Sequence, residues 1–220
     1  MPLLDPKKRF RKVAAMEDST QSASRRRQRA LVAALVFAGF AGLAAGFAAA
    51  SLKVDTAPQF GSFWLLLGAS VFTAVLTVSR LAVFRSSAAS LSPMFRRSVA
   101  AMVPVMLVGL FFGWFVSRGP FNAAGMIVLS GLWMMLLGCG WLANAAFLPG
   151  GVAWLGWMML VLGAGAATLG HAGPVDVSWR VANLVVGLGF GVPHLLAAMF
   201  VLKFSGKDKP QPKEFAPKTD

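Results

Sequence analysis

The sequence is poor in charged residues. Charged residues make up 13% of its 220 residues and hydrophobic residues 57%, whereas a soluble domain carries about 25% charged and about 45–50% apolar residues. A chain of this length with so few charges cannot cover its apolar surface with polar groups, which excludes an ordinary soluble domain. A lipid bilayer is the solvent that accepts such a composition.

Acidic residues are missing from the middle of the chain. None occurs between Asp55 and Asp176, a stretch that contains most of the apolar residues. Carboxylates inside the membrane are the usual carriers of protons and cations in pumps and transporters. Their absence argues against an ion-coupled pump.

Residues that hold metals or cofactors are also scarce. The only cysteine, Cys139, cannot form a disulfide within the chain, and its place between two glycines favours a packing role over a reactive thiol. The sequence has no Cys/His cluster, no glycine-rich phosphate loop and no H-E-x-x-H motif, so no metal, nucleotide or other cofactor is expected. Haem ligation by two histidines is not expected either, because His171 falls in an outer loop, away from His194.

The sequence does have six apolar stretches, at about 30–52, 61–84, 98–116, 123–142, 152–169 and 181–202. Each approaches or exceeds the ~18–20 residues that a helix needs to cross ~30 Å of hydrocarbon. We therefore expect an all-α membrane protein, a bundle of about six transmembrane helices over residues 30–202. The flanking tails, 1–29 and 203–220, are polar and read as disordered.

The basic residues predict the orientation of this bundle. Of the 21 Lys and Arg residues, 18 fall in the two tails and around the second loop, and only Lys53, Arg118 and Arg180 fall on the other side. Because the side rich in Lys and Arg stays in the cytoplasm, both termini are predicted to be cytoplasmic. The tails would lie on the anionic cytoplasmic leaflet rather than bind nucleic acid. The Ala-, Arg- and Gly-rich composition suggests a bacterial inner membrane, with an organellar inner membrane as the alternative.

Small residues at every fourth position mark helix faces that pack closely. Helix association in lipid depends on close backbone approach and on polar contacts. The first stretch carries the longest such series, and the third and sixth each carry one GxxxG pair: Ala34, Ala38, Gly42, Gly46 and Ala50; Gly109 and Gly113; Gly187 and Gly191. These faces pack either within the bundle or against a partner membrane protein.

Polar residues within the second stretch indicate a helix that could line a pathway. Ser70, Thr73 and Thr77 share a face at helical spacing, and Arg80 follows near the cytoplasmic end. The hydroxyls can also bond back to carbonyls of their own helix. Arg80 can extend its head group to the membrane surface.

The sixth stretch contains Pro193 and His194, with Asn183 nearer its outer end. Proline frees the carbonyl four residues earlier. A histidine inside the bilayer indicates either a functional site or a hydrogen bond that joins two helices. Ser130 in the fourth stretch and His194 could form a catalytic dyad, but the sixth-span Ala-His and glycine pattern of rhomboid-type proteases is absent around His194.

Three functional hypotheses follow from these patterns. The first is a non-catalytic membrane subunit or assembly partner that docks through its small-residue faces. The second is a small transport or substrate-binding component with a site between the second and sixth helices. The third, an intramembrane hydrolase, has the fewest supporting residues.

Overall fold

Six helices make up the computed structural model, which describes residues 6–84, 92–116, 118–119, 121–145, 151–172 and 177–204. In chain order they are α1 (Pro6–Ser51), α2 (Ala57–Phe84), α3 (Ser92–Val116), α4 (Ala123–Asn144), α5 (Val152–Ala172) and α6 (Trp179–Phe204). No strand occurs within those ranges. Each apolar stretch of the sequence overlaps one helix, so the all-helical class is confirmed.

Four helices are long and apolar enough to cross a membrane: Gln28–Ser51, Ala123–Asn144, Val152–Ala172 and Trp179–Phe204. α3 contributes a shorter apolar segment, Met102–Phe115. Large apolar side chains such as Phe40 and Trp157 are more than half exposed. Lipid accepts such a surface, whereas water does not. These properties indicate a membrane protein, and a count of six spans stays a prediction.

α1 begins earlier than the sequence pattern predicts. The tail 1–29 was expected to be disordered, but the helix runs without a break from Pro6 to Ser51. Proline suits a first helical position, and no glycine or further proline follows until Gly39. Adding residues to an existing helix also avoids the cost of nucleation. Residues 1–5, and the C-terminal tail from 205 onward, lie outside the described part of the chain.

α1 and α6 form an antiparallel pair whose two ends are joined by hydrogen bonds. At one end, here called the lower end, the side-chain amide of Gln28 donates to the carbonyl of Val201 at 3.0 Å. At the opposite, upper end, the side-chain amide of Asn183 donates to the carbonyl of Val54 at 2.9 Å. The start of the apolar part of α1 and the end of α6 are therefore at the same end of the bundle.

The remaining helices pack around this pair in two groups. α4 and α5 form a second extensive pair that contacts α6. α2 and α3 make smaller contacts, α2 with α1 and α3, and α3 with α4. The core lies where α4, α5 and α6 meet, around fully buried side chains such as Met134, Leu155 and Val186.

The loops at the upper end hold the helices in register. α1 ends where Lys53 adopts a positive φ of 54°, and the Val54 N–H donates back to the carbonyl of Ala49 at 3.1 Å. α4 begins at a side-chain cap, since the side-chain oxygen of Asn122 (Oδ1) accepts from the Gly125 N–H at 2.8 Å. The turn after α1 places the Val54 carbonyl beside α6, where it accepts from Asn183.

Candidate functional site: an apolar cavity between helices 2, 3 and 4

The glycines of α1 and α6 meet backbone to backbone. A Cβ built on Gly46 would lie 2.8 Å from the Cα of Gly187, and one built on Gly42 would lie 3.2 Å from the nitrogen of Gly191. The spacing of small residues on these two helices thus serves a contact inside the bundle. These faces of α1 and α6 are covered by each other.

Further glycines in close contact were not singled out from the sequence. Gly39 also lies in the α1–α6 contact, 3.0 Å from the carbonyl oxygen of Gly191 by the same construction. Between α4 and α5 the pairs are Gly131 with Gly163 and Gly138 with Gly156, at 2.5 and 2.7 Å from a built Cβ to the facing carbonyl oxygen. In each of these two helices the glycines are seven residues apart, whereas the predicted packing faces have a spacing of four.

The glycine pair of α3 has a different environment. Gly109 makes room for the indole of Trp133 from α4, and a Cβ on Gly113 would lie 2.7 Å from the Cδ1 of Leu65 from α2. Large side chains therefore occupy the places where another helix backbone could have come close. α2 and α3 therefore meet through side chains along this stretch and not backbone to backbone.

A cavity of about 350 Å³ lies between α2, α3 and α4. Its walls are mostly apolar and include Phe72, Leu107, Met126 and Leu129. Ligand pockets in proteins begin at about 300 Å³ and combine apolar walls with a few polar groups. The cavity has the size and character of a site for a small apolar molecule.

Two polar residues of the cavity wall come from one face of α4, and Thr73 of α2 is a third. Ser130 and Trp133 both line the wall, and residues three apart on a helix are neighbours. The Trp133 indole N–H is buried and meets no acceptor among the described residues. A buried donor without an acceptor costs about 1–3 kcal/mol. The sequence alone does not identify this donor, because its pairing depends on residues of other helices.

The cavity opens along the seam between α2 and α3. Val103, Leu107 and Leu110 of its α3 wall are 40%, 59% and 41% exposed, so they form a rim at the outer surface of the bundle. The described wall contains no charged side chain. A molecule that enters through this rim comes from an apolar environment and needs no charge.

Asn183 lies above the cavity, in a hydrogen-bonded cluster at the upper end. The side-chain oxygen of Asn183 (Oδ1) accepts from the Trp64 indole N–H at 3.0 Å. Its amide donates to the carbonyls of Val54 and Trp179 at 2.9 and 3.0 Å. Asn183 is fully buried, and these bonds join α2, α6 and the loop after α1. These bonds favour a role for Asn183 in holding the helices together.

His194 lies apart from both the cavity and the upper cluster. Its Nδ1 is 2.6 Å from the carbonyl oxygen of Phe190 in its own helix, so this nitrogen carries the proton and donates. The imidazole packs against Trp141, with ring centroids 6.4 Å apart. No hydrogen bond from His194 to another helix occurs among the described residues.

Ser130 and His194 do not form a dyad in this structure. Ser130 lines the cavity together with Val186 of α6. His194 follows eight residues later on α6, which corresponds to about 12 Å of helix. Among the described residues, the hydrogen bond of His194 goes to Phe190 and not to Ser130.

The hydroxyl series of α2 points largely to the exposed surface. Ser70, Thr73 and Thr77 are all exposed, and the Thr77 hydroxyl donates to the carbonyl of Thr73 at 2.8 Å. Thr73 alone of the three reaches the cavity wall. Arg80 lies in α2, but its side chain is outside the described part.

Metal binding has no support in the described residues. No group of at least three His, Cys, Asp or Glu side chains there is close enough to hold an ion.

Comparisons with protein-family models, with curated proteins and with solved structures gave no match to this chain. The candidate function therefore depends on the cavity itself.

Proposed function

We propose that this chain is a non-catalytic integral membrane protein that binds an apolar molecule in the cavity between α2, α3 and α4. The observation that carries the proposal is a 350 Å³ apolar cavity that opens at the outer surface of the bundle. This develops the hypothesis of a substrate-binding component. It moves the site from between the second and sixth helices to the seam of α2 and α3.

The hypothesis of a subunit that docks through small-residue faces has less support. Gly42 and Gly46 face Gly187 and Gly191 across the α1–α6 contact. A partner protein could use those faces only if α1 and α6 separated. Binding in the cavity requires no such separation.

The experiment uses a long alkyl chain that carries a photoreactive diazirine. The protein in mild detergent is irradiated at increasing concentrations of the probe. Labelled peptides are then identified by mass spectrometry. Saturable labelling is expected on peptides of α2, α3 and α4. Excess hexadecane should suppress that labelling.

Two matched variants locate the binding. Ala69→Phe places a bulky side chain on the cavity wall and should remove saturable labelling. Ala164→Phe makes the same change at an exposed position of α5, which does not line the cavity, and should leave it unchanged. Equal labelling of both variants and the wild type would overturn the proposal.

We also propose that all six helices span the membrane with the lower end in the cytoplasm. The support is the distribution of 18 of 21 basic residues and the Gln28–Val201 hydrogen bond, which puts two polar flanks at one end. Reporter fusions after Lys53 and Arg118 should report the outside, and fusions after Arg97 and Lys207 the cytoplasm. A fusion after Arg118 that reports the cytoplasm would exclude this topology.

A further inference from the structure

We infer that the cavity holds one acyl chain of a membrane phospholipid whose phosphate binds Arg118 at the upper end of the bundle. The inference rests on the proposed function and narrows its ligand class. It joins two features of the structure, the long apolar cavity and a cation that follows the α3 side of its rim. The second acyl chain of the lipid stays in the bilayer outside the seam.

The first step concerns the length of the cavity. Along α2 its wall extends from Phe60 to Thr73, which corresponds to about 20 Å of helix. The start of α2 lies at the upper end, where Trp64 bonds to Asn183. The hydrocarbon core of a bilayer is about 30 Å thick, so one leaflet contributes about 15 Å. The cavity therefore has the depth of a single acyl chain from the leaflet at the upper end.

The second step concerns the rim along α3. Four residues lie on one face of this helix, at spacings of four, three and four residues: Val103, Leu107, Leu110 and Trp114. They are between 40% and 59% exposed, and the first three line the cavity. An apolar rim of this length lets one chain enter sideways from lipid while the rest of the molecule stays outside.

The third step concerns the cation. α3 ends at the upper end, where Gly113 lies against Leu65 of α2. The guanidinium carbon of Arg118 is 4.8 Å from the centroid of the Trp114 ring, and the Arg118 backbone N–H donates to the carbonyl of Phe115 at 3.2 Å. Arg118 forms no ion pair with a carboxylate of the described residues. Its planar guanidinium can therefore donate two parallel hydrogen bonds to a phosphate.

The fourth step concerns the parts of the ligand. No charged side chain lines the described wall, so a charged group would be costly inside the cavity and only an apolar chain enters it. The head group stays at the membrane surface, where Arg118 is exposed. A phospholipid supplies both an acyl chain and an anion, whereas an alkane or a diacylglycerol supplies only the chain.

The test measures competition against the alkyl diazirine probe in wild type and in Arg118→Gln, in an uncharged detergent. The competitors are dipalmitoylphosphatidylglycerol and dipalmitoylglycerol, which carry the same acyl chains and differ in the phosphate head group. In wild type the phospholipid should be about two- to fivefold more potent than the diacylglycerol, a modest ratio because the ion pair is exposed. This preference should disappear in Arg118→Gln.

The matched control is Arg180→Gln. It removes the same charge from an exposed arginine at the start of α6, which is also at the upper end but does not line the cavity. The potency ratio should stay at its wild-type value. Comparing ratios between the two variants cancels differences in partition into detergent and the general attraction of a cationic protein for an anionic lipid.

The outcomes separate the inference from the proposed function. If the two competitors are equally potent in wild type, or if Arg118→Gln and Arg180→Gln give the same ratio, the inference is overturned while cavity binding stands. If no compound displaces the probe, hexadecane included, the proposed function is overturned together with it.

A second measurement tests the direction of the chain in the wild-type protein. Two phospholipid probes carry the diazirine near the carbonyl or near the terminal methyl of one palmitoyl chain. Saturable labelling by the first should fall at the upper end of the cavity, around Phe60 and Gly113, and labelling by the second around Thr73 and Val103. The reverse order, or the same sites for both probes, would contradict a chain that enters from the leaflet at the upper end.

Discussion

The seam between α1 and α6 and the seam between α2 and α3 are both rich in glycine but have opposite structures. Gly46 and Gly187 face each other, so the backbones of α1 and α6 touch. Gly109 and Gly68 instead face Trp133, a side chain that comes from α4. A glycine in a membrane helix thus permits close approach, but the facing residue decides whether a backbone or a side chain fills the space.

This difference divides the bundle into a closed part and an open part. The close α1–α6 and α4–α5 contacts gain van der Waals energy along the backbone, the main source of helix association in lipid. At the α2–α3 seam, where the cavity lies, the backbones make fewer such contacts, so less van der Waals energy is gained. Substitutions should therefore affect stability in the closed part and ligand binding in the open part.

The largest loss of stability is expected from Gly187→Leu. A Cβ at this position would lie 2.6 Å from the Cα of Gly46 and 3.0 Å from the carbonyl oxygen of Gly42, and backbone atoms cannot rotate away. Overpacking costs about 1–3 kcal/mol, and more where the neighbour is rigid. Thermal unfolding in detergent should show a large loss of stability or no folded protein.

The control for this substitution is Gly165→Leu on α5, where a built Cβ meets nothing within 4 Å. This variant should be as stable as wild type or slightly more so, because leucine is the better helix former. Equal losses in the two variants would mean that the α1–α6 seam is not closed.

A moderate effect is expected from Asn183→Leu at the upper end. The substitution leaves the Trp64 N–H without its acceptor and the carbonyls of Val54 and Trp179 without their side-chain donor. Such losses cost about 1–3 kcal/mol. In a Trp64→Phe background the cost should be smaller, since one unpaired donor is gone. Strictly additive losses in the double variant would show that the two side chains are not coupled.

A small gain in stability is expected from Gly68→Ala at the α2–α3 seam. A Cβ here would lie 3.4 Å from the Cη2 of Trp133, which is ordinary contact. Alanine exceeds glycine in helix propensity by about 1 kcal/mol, so the unfolding temperature should stay the same or rise. The matched variant is Gly187→Ala, whose added Cβ would lie 2.6 Å from the Cα of Gly46 and should lower stability. An equal loss in Gly68→Ala would indicate that α2 packs as tightly as α1 and α6.

The smallest effect is expected from His194→Gln. His194 donates within its own helix to Phe190, and side-chain hydrogen bonds in membrane proteins contribute about 0.6 kcal/mol on average. Stability and probe labelling should both remain near wild type, since His194 does not line the cavity. A folded His194→Gln protein that no longer takes up the probe would move the site to α6.

The sequence was a good guide to features that depend on local pattern. Apolar runs predicted the helices, because hydrocarbon demands continuous apolar length. Gly42 and Gly46 were recognised as a packing face because their spacing reflects one helix alone. The helical segment from Pro6 was missed because a polar segment without a core resembles a disordered one in composition.

The cavity could not be predicted, because it depends on where two helices meet through side chains and not through their backbones. Gly109 and Gly113 have the same spacing as Gly42 and Gly46, yet only the latter pair contacts a helix backbone. What differs is Trp133, whose position relative to α3 is set by the packing of α4 on α5 and α6. Likewise the partner of Asn183 is Trp64, which lies far away in the chain, so no local pattern pairs the two residues.

The most direct test of the account is the position of xenon in a crystal of the protein under xenon pressure, since xenon occupies dry apolar cavities. We expect xenon between α2, α3 and α4, in contact with Leu107 and Trp133, and none between α1 and α6. Ala69→Phe should remove that xenon. Xenon absent from the α2–α3 seam, with the two helices packed against each other there, would contradict the account.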